Sequence, residues 1–140
     1  ADGAVDALRW CKERGLAVVV VTNTISRGDV EVRQDFERLG VSELIDQVVS
    51  SYSTGWEKPH RALFDRALRY AGVPATDACN VGDRIDLDVA GPKAIGMRAV
   101  WVSVDPTSEG GAAEPDATIA SLRELPAVLE QWLQGVPLPR

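Results

Sequence analysis

Three polar stretches, each directly after an apolar run, hold the residues best suited to chemistry in this 140-residue chain. Thr22 and Asn23 follow the run 16–21. A hydroxyl and backbone amides at a strand-to-loop junction can hold a phosphate oxygen without adding charge. Taken alone, the pair reads first as a loop start, because Thr and Asn both favour turns. Lys58 stands with Pro59 at a helix start, after the loop 50–57. Cations prefer the opposite end of a helix, so Lys58 is either a solvated surface residue or the partner of a bound anion. The third stretch is Val81-Gly82-Asp83-Arg84-Ile85-Asp86-Leu87-Asp88. Carboxylates this close together repel unless a cation is present. A hard cation such as Mg2+ takes one or two protein carboxylates with water and substrate phosphate. Gly82 allows close backbone approach to such a site. Acids also decorate ordinary helix N-termini, which accounts for Asp86 or Asp88 better than for Asp83. Arg84 reads equally as a contact to a substrate anion or as a solvated side chain.

The elements that must position these residues follow from periodicity. Val5, Leu8 and Cys11 share one helical face, closed by Lys12, Arg14 and Gly15, the usual C-terminal signals. The run 16–21 has no polar alternation, which predicts a strand covered on both faces. Val32, Phe36 and Leu39 predict a helix ending at Gly40, and 45–49 a short strand. Pro59 opens a helix through Leu63, Phe64, Ala67 and Leu68 that ends before Gly72. Strands are expected over 78–81 and 98–103, with a short helix over 89–95 between them. Pro92 is tolerated there only in the first turn. The Gly-, Ala- and Pro-rich stretch 105–115 reads as a loop. Ile119, Leu122, Leu125, Val128, Leu129 and Trp132 predict a terminal helix, started by Ser121 and interrupted near Pro126. Alternating helices and buried strands imply an α/β fold, a parallel sheet with helices on both faces, in one domain over 1–140. In such sheets ligands bind beyond the carboxyl ends of the strands, where the three polar stretches fall.

Composition narrows the function. A net charge of -6 argues against nucleic-acid or anionic-membrane partners, which call for clustered Lys and Arg. No apolar run approaches the roughly 20 residues of a membrane span. Ala1-Asp2-Gly3 leads straight into helical spacing without the apolar core of a secretory leader. Cys11 and Cys79 lie in apolar patterned stretches and read as core thiols in a reducing cytoplasm. Trp10, Trp101 and Trp132 also read as core. His60 reads as a surface first-turn residue, and Trp56, in the lysine loop, as a surface residue that can face a substrate or a further domain.

As an ordered set, the three stretches resemble the second, third and fourth motifs of the haloacid dehalogenase (HAD) superfamily. The matching text is Val18-Val19-Val20-Val21-Thr22-Asn23, then Gly55-Trp56-Glu57-Lys58-Pro59, then Val81-Gly82-Asp83 through Asp88-Val89-Ala90-Gly91 and Ala94-Ile95-Gly96-Met97. The similarity spans residues 3–129. It implies a three-layer Rossmann-like core and Mg2+-dependent phosphoryl transfer from a small phosphorylated metabolite through an aspartyl-phosphate. On that likeness Thr22 and Asn23 hold phosphoryl oxygens, and Lys58 neutralises charge on nucleophile and phosphate. Asp83 holds the metal, and Asp88 supports the metal or the lysine. Leu87 replaces an Asn common in relatives, so one polar contact is missing.

The family's first motif is a buried strand ending in Asp-x-Asp, whose first Asp is the nucleophile and whose second is acid and base. These 140 residues contain no such element; Asp86-Leu87-Asp88 has the spacing but no strand of its own. That strand is expected between 16–21 and 78–81, and without it the sheet has two facing unpaired edges. The expectation is that residues preceding Ala1, or another chain, supply the strand, with a cap domain also upstream. This chain alone is then inactive. The rival readings are a non-catalytic phosphate-binding or interaction module and, less well matched in motif order, a phospho-acceptor receiver domain.

Overall fold

The computed structural model describes residues 3–103, 105 and 113–135. The first helix, α1 (Ala4–Glu13), buries Ala7 and Cys11, one turn apart on one face. Gly15 then reverses the chain at φ 73°, a conformation open to Gly without a Cβ penalty. The strand β1 (Val19–Thr22) leads into α2 (Asp29–Arg38), whose first turn carries Asp29 and Glu31. Glu31 Oε2 accepts the Gly28 N–H at 3.0 Å, satisfying one of the free amides at that end. Next come β2 (Gln47–Ser50), the single turn α3 (Ser51–Thr54) and α4 (Arg61–Ala71). In α4, Leu63, Phe64 and Ala67 are buried at helical spacing. After β3 (Cys79–Gly82) a π-helical turn, Ile85–Val89, runs into α5 (Ala90–Ala94). The strands β4 (Arg98–Val102) and β5 (Ala117–Ile119) and the helix α6 (Leu125–Leu133) complete the order.

All strand pairs are parallel, with helices on both sides, as the unbroken apolar runs imply. β1 pairs with β2, Val19 opposite Gln47 through Thr22 opposite Ser50. β3 pairs with β4, Cys79 opposite Arg98, and β4 with β5, Val100 opposite Ala117. The two groups do not join: one sheet runs β1-β2, the other β3-β4-β5. The core divides in the same way. Ala7, Val100, Ile119 and Leu125 cluster on one side, and Val49, Leu63 and Ala67 on the other, with Val19 and Val21 against them. Between β1 and β3 lies a cavity of about 800 Å3 whose lining includes Val19, Val21, Val81, Phe64 and Leu129. Residues 19–22 and 79–82 are therefore only half-buried, although the run 16–21 reads as a strand covered throughout.

Several expectations need correction. Ile119 does not open the terminal helix; it is buried in β5, opposite Val102. A three-residue strand is too short to leave a run in the sequence. Ser121 instead caps a 3-10 turn, Leu122–Glu124, with Glu124 Oε2 accepting the Ala120 and Ser121 amides at 2.7 and 3.0 Å. Pro126 lies in the first turn of α6, where its missing N–H removes no helical bond, so it begins the helix and does not interrupt it. Leu39 is 72% exposed and α2 buries no residue, because α2 packs on β2, the outer strand of its sheet. Trp10, Trp101 and Trp132 are half-buried, at the borders of the core. Of the loop expected over 105–115, residues 106–112 lie outside the described residues. Pro92 falls in the first turn of α5, as its ring requires.

Candidate active site

Asp88 is the hub of the polar groups beyond the strand ends. Lys58 Nζ donates to its Oδ1 at 2.8 Å, and the Arg84 amide donates to Oδ2 at 3.1 Å. Asn80 Nδ2 donates to the Asp88 carbonyl at 2.8 Å. The Lys58 and Asp88 side chains are 14% and 7% exposed, so the pair is nearly dry and each charge depends on the other. The π-helical turn brings this about by returning Asp88 beneath the end of β3; such turns recur at functional sites. Gly82 makes the return possible, since a Cβ there would overlap the Asp88 carboxylate outright. The close approach foreseen at Gly82 is thus made by Asp88. Gly82→Ala is expected to push Asp88 off Lys58 and cost about 1–3 kcal/mol. Urea unfolding checks this, and an unchanged midpoint would show that the loop absorbs the methyl.

The lysine loop is clamped from β1. Asn23 Oδ1 accepts the Lys58 amide at 2.8 Å, joining the end of β1 to the start of α4 through a cis Lys58–Pro59 peptide. Thr22, half-buried at the last position of β1, has no side-chain hydrogen bond to a described residue, so its hydroxyl remains available. A second clamp escaped the sequence reading. Ser51 Oγ donates to the Thr24 carbonyl at 2.9 Å and accepts its amide at 2.7 Å. Asp29 Oδ1 accepts from the Ser50 amide, Ser50 Oγ and Ser53 Oγ at 2.6–2.8 Å. The visible signal was Ser50-Ser51 at the end of β2, the start of the loop that leads to Lys58.

Asp83, Lys58 and Asp88 line one cavity, the one between β1 and β3. Asp83 is exposed and its carbonyl accepts Trp101 Nε1 at 3.1 Å; its carboxylate has no partner among the described residues. Arg84 turns instead to Asp86, Nη2 to Oδ2 at 3.1 Å with both side chains 61% exposed. That hydrogen bond holds the Asp86 carboxyl below its ordinary value. Among the described residues no three His, Cys, Asp or Glu side chains are grouped to hold a metal. Mg2+ needs only one or two protein carboxylates, and the free carboxylate of Asp83 fits that requirement. Asp88 fits less well, because both its oxygens are engaged. Cys11 and Cys79 are free thiols, and burial above all, then the Asp116 charge, pushes Cys79 up to about 12.

The sequence profile of the haloacid dehalogenase-like hydrolases matches residues 1–102. The chain belongs to this family. It is 39% identical over 101 residues to the human haloacid dehalogenase-like hydrolase domain-containing protein 3, covering 72% of this chain and 39% of the relative. It is 35% identical over 118 residues to the phosphoserine phosphatase of Thermus thermophilus, covering 84% and 46%. The crystal structure of 2-haloacid dehalogenase from Pseudomonas syringae pv. Tomato DC3000 superposes with a TM-score of 0.71 at 34% identity, covering 83% and 47%. The chain therefore spans less than half the length of each of these three family members. It has the α/β core of the HAD-like hydrolases, and its relatives include phosphatases. No helix among the described residues is long and apolar enough to cross a membrane.

Proposed function

We propose that this chain carries the downstream half of a Mg2+-dependent phosphomonoesterase acting on a small phosphorylated metabolite. The observation that carries the reading is the cavity of about 800 Å3 between β1 and β3, with Lys58, Asp83 and Asp88 in its lining. The cavity is flanked by the unpaired edges of β1 and β3, the place that a strand parallel to both would fill. Its walls are mostly apolar, and a strand ending level with Thr22 and Gly82 would present its last side chain to Lys58. An Asp there is the nucleophile. It comes from a segment preceding residue 1, with a cap, or from another chain; residues 1–140 form one core domain and are inactive alone.

Attack by that carboxylate on phosphorus forms an aspartyl-phosphate and expels the alcohol, and water then cleaves the acyl phosphate. Lys58, held by Asp88, faces the two negative groups and lowers their repulsion. The Thr22 hydroxyl donates to a phosphoryl oxygen. Asn23 fixes the lysine loop through Oδ1, leaving its amide N–H groups for the phosphoryl oxygens. Arg84, released from Asp86, is the contact for a second substrate anion. Asp83, with Asp88 behind it, would hold Mg2+, which supplies positive charge to the phosphoryl oxygens when bound. The two free thiols suit a cytoplasmic protein.

The test is a panel of phosphomonoesters offered, with Mg2+, to the chain carrying an apolar strand that ends in Asp-x-Asp. Released phosphate is expected with the strand present and none without it. No release in either case would leave a non-catalytic phosphate-binding module as the better reading.

A further inference from the structure

Trp56 is 55% exposed yet held from several sides. Thr54 Oγ1 accepts its amide at 3.2 Å and donates to its carbonyl at 3.0 Å. Its indole stacks on the His60 imidazole, centroids 4.0 Å apart and planes 12° from parallel. His60 is fixed in turn as the cap of α4, its Nδ1 accepting the Ala62 amide at 3.1 Å. With one indole face against the imidazole, the exposure comes from the opposite face and the edge. Ordering a large side chain and leaving its apolar face in water are both unfavourable. A ligand on that face would offset both.

The position says which ligand. Trp56 stands two residues before Lys58 on the loop clamped to Asn23, close along the chain to the ammonium that would face the phosphate. Ile25, after β1, and Tyr52, in α3 after β2, are further exposed apolar side chains at the strand ends. Resting on the phosphatase reading above, we propose that Trp56, braced by His60, is a specificity platform for substrates whose alcohol part is a flat, apolar or aromatic group. Ring stacking discriminates flat from small aliphatic groups by up to about tenfold.

The 140-residue chain, with 15N-labelled indoles, is titrated with benzylphosphonate and with methylphosphonate. Benzylphosphonate is expected to bind about tenfold more tightly and to move the Trp56 indole resonance. Trp56→Ala brings benzylphosphonate to the methylphosphonate level, whereas Trp56→Phe keeps most of the preference. Equal binding of the two phosphonates, or a preference that survives in Trp56→Ala, overturns the platform while leaving the phosphate site standing. In that case a protein surface is the better occupant of the exposed Trp56 face. Binding of neither compound removes the phosphate site and the platform with it.

Discussion

Replacing Asp83 by Asn, in a chain whose cavity holds the nucleophilic strand, is expected to lower Mg2+-dependent turnover by about a thousandfold. Metal-borne charge stabilisation is worth several kcal/mol, and each 1.4 kcal/mol is a factor of ten in rate. The same change should move stability by less than about 0.5 kcal/mol, because Asp83 is exposed and has no described partner to abandon. Lys58→Met gives the contrast. It leaves Asp88, whose side chain is 7% exposed, without its counter-ion. The cost of breaking a buried pair runs to about 3–5 kcal/mol, reduced here by the open cavity beside it. Activity loss without stability loss is thus the mark of Asp83, and loss of both the mark of Lys58. Initial rates at saturating Mg2+ measure the activity and thermal midpoints the stability, and calorimetry checks that Asp83→Asn weakens Mg2+ binding. A near-normal rate for Asp83→Asn removes Asp83 from the metal role.

Much of this arrangement was legible in the chain because its signals are local. The β-branched run ending at Thr22, the glycines after α1 and α4, and the carboxylates after β3 mark element ends, and ligand sites in parallel sheets lie at those ends. What stayed hidden depends on long-range contacts. Nothing in the spacing of Asp83, Asp86 and Asp88 says which carboxylate faces Lys58. The π-helical turn decides it by burying Asp88 and turning Asp86 toward Arg84. Asn23 alone read as a loop start, and as a phosphate contact only through the likeness to the HAD motifs; that its oxygen takes the amide of a residue 35 positions away has no local trace. β5 was missed for a related reason. Its three residues are a strand because β4 lies beside them, not because of their own pattern.

The divided core has the largest structural consequence. β1 and β3 each offer an unpaired edge to the cavity, and the two apolar clusters lie on opposite sides of it. An apolar strand ending in Asp, joined before residue 1 or added as a peptide, is expected to bond to both edges and merge the clusters. A gain of a few kcal/mol corresponds to a rise in thermal midpoint of about 10 °C for a chain of this size. Exchange-protected amides should appear in β1 and β3 together, since a strand docking on one edge alone would protect only one. A Pro in the middle of the added strand removes a ladder donor and should abolish the gain. Asn in place of the terminal Asp should keep the stability and lose the turnover. This last pair separates the two roles of the missing element, because the backbone completes the sheet while a single carboxylate completes the site. If neither edge gains protection, the cavity is not a strand site, and the nucleophile must reach Lys58 by another route.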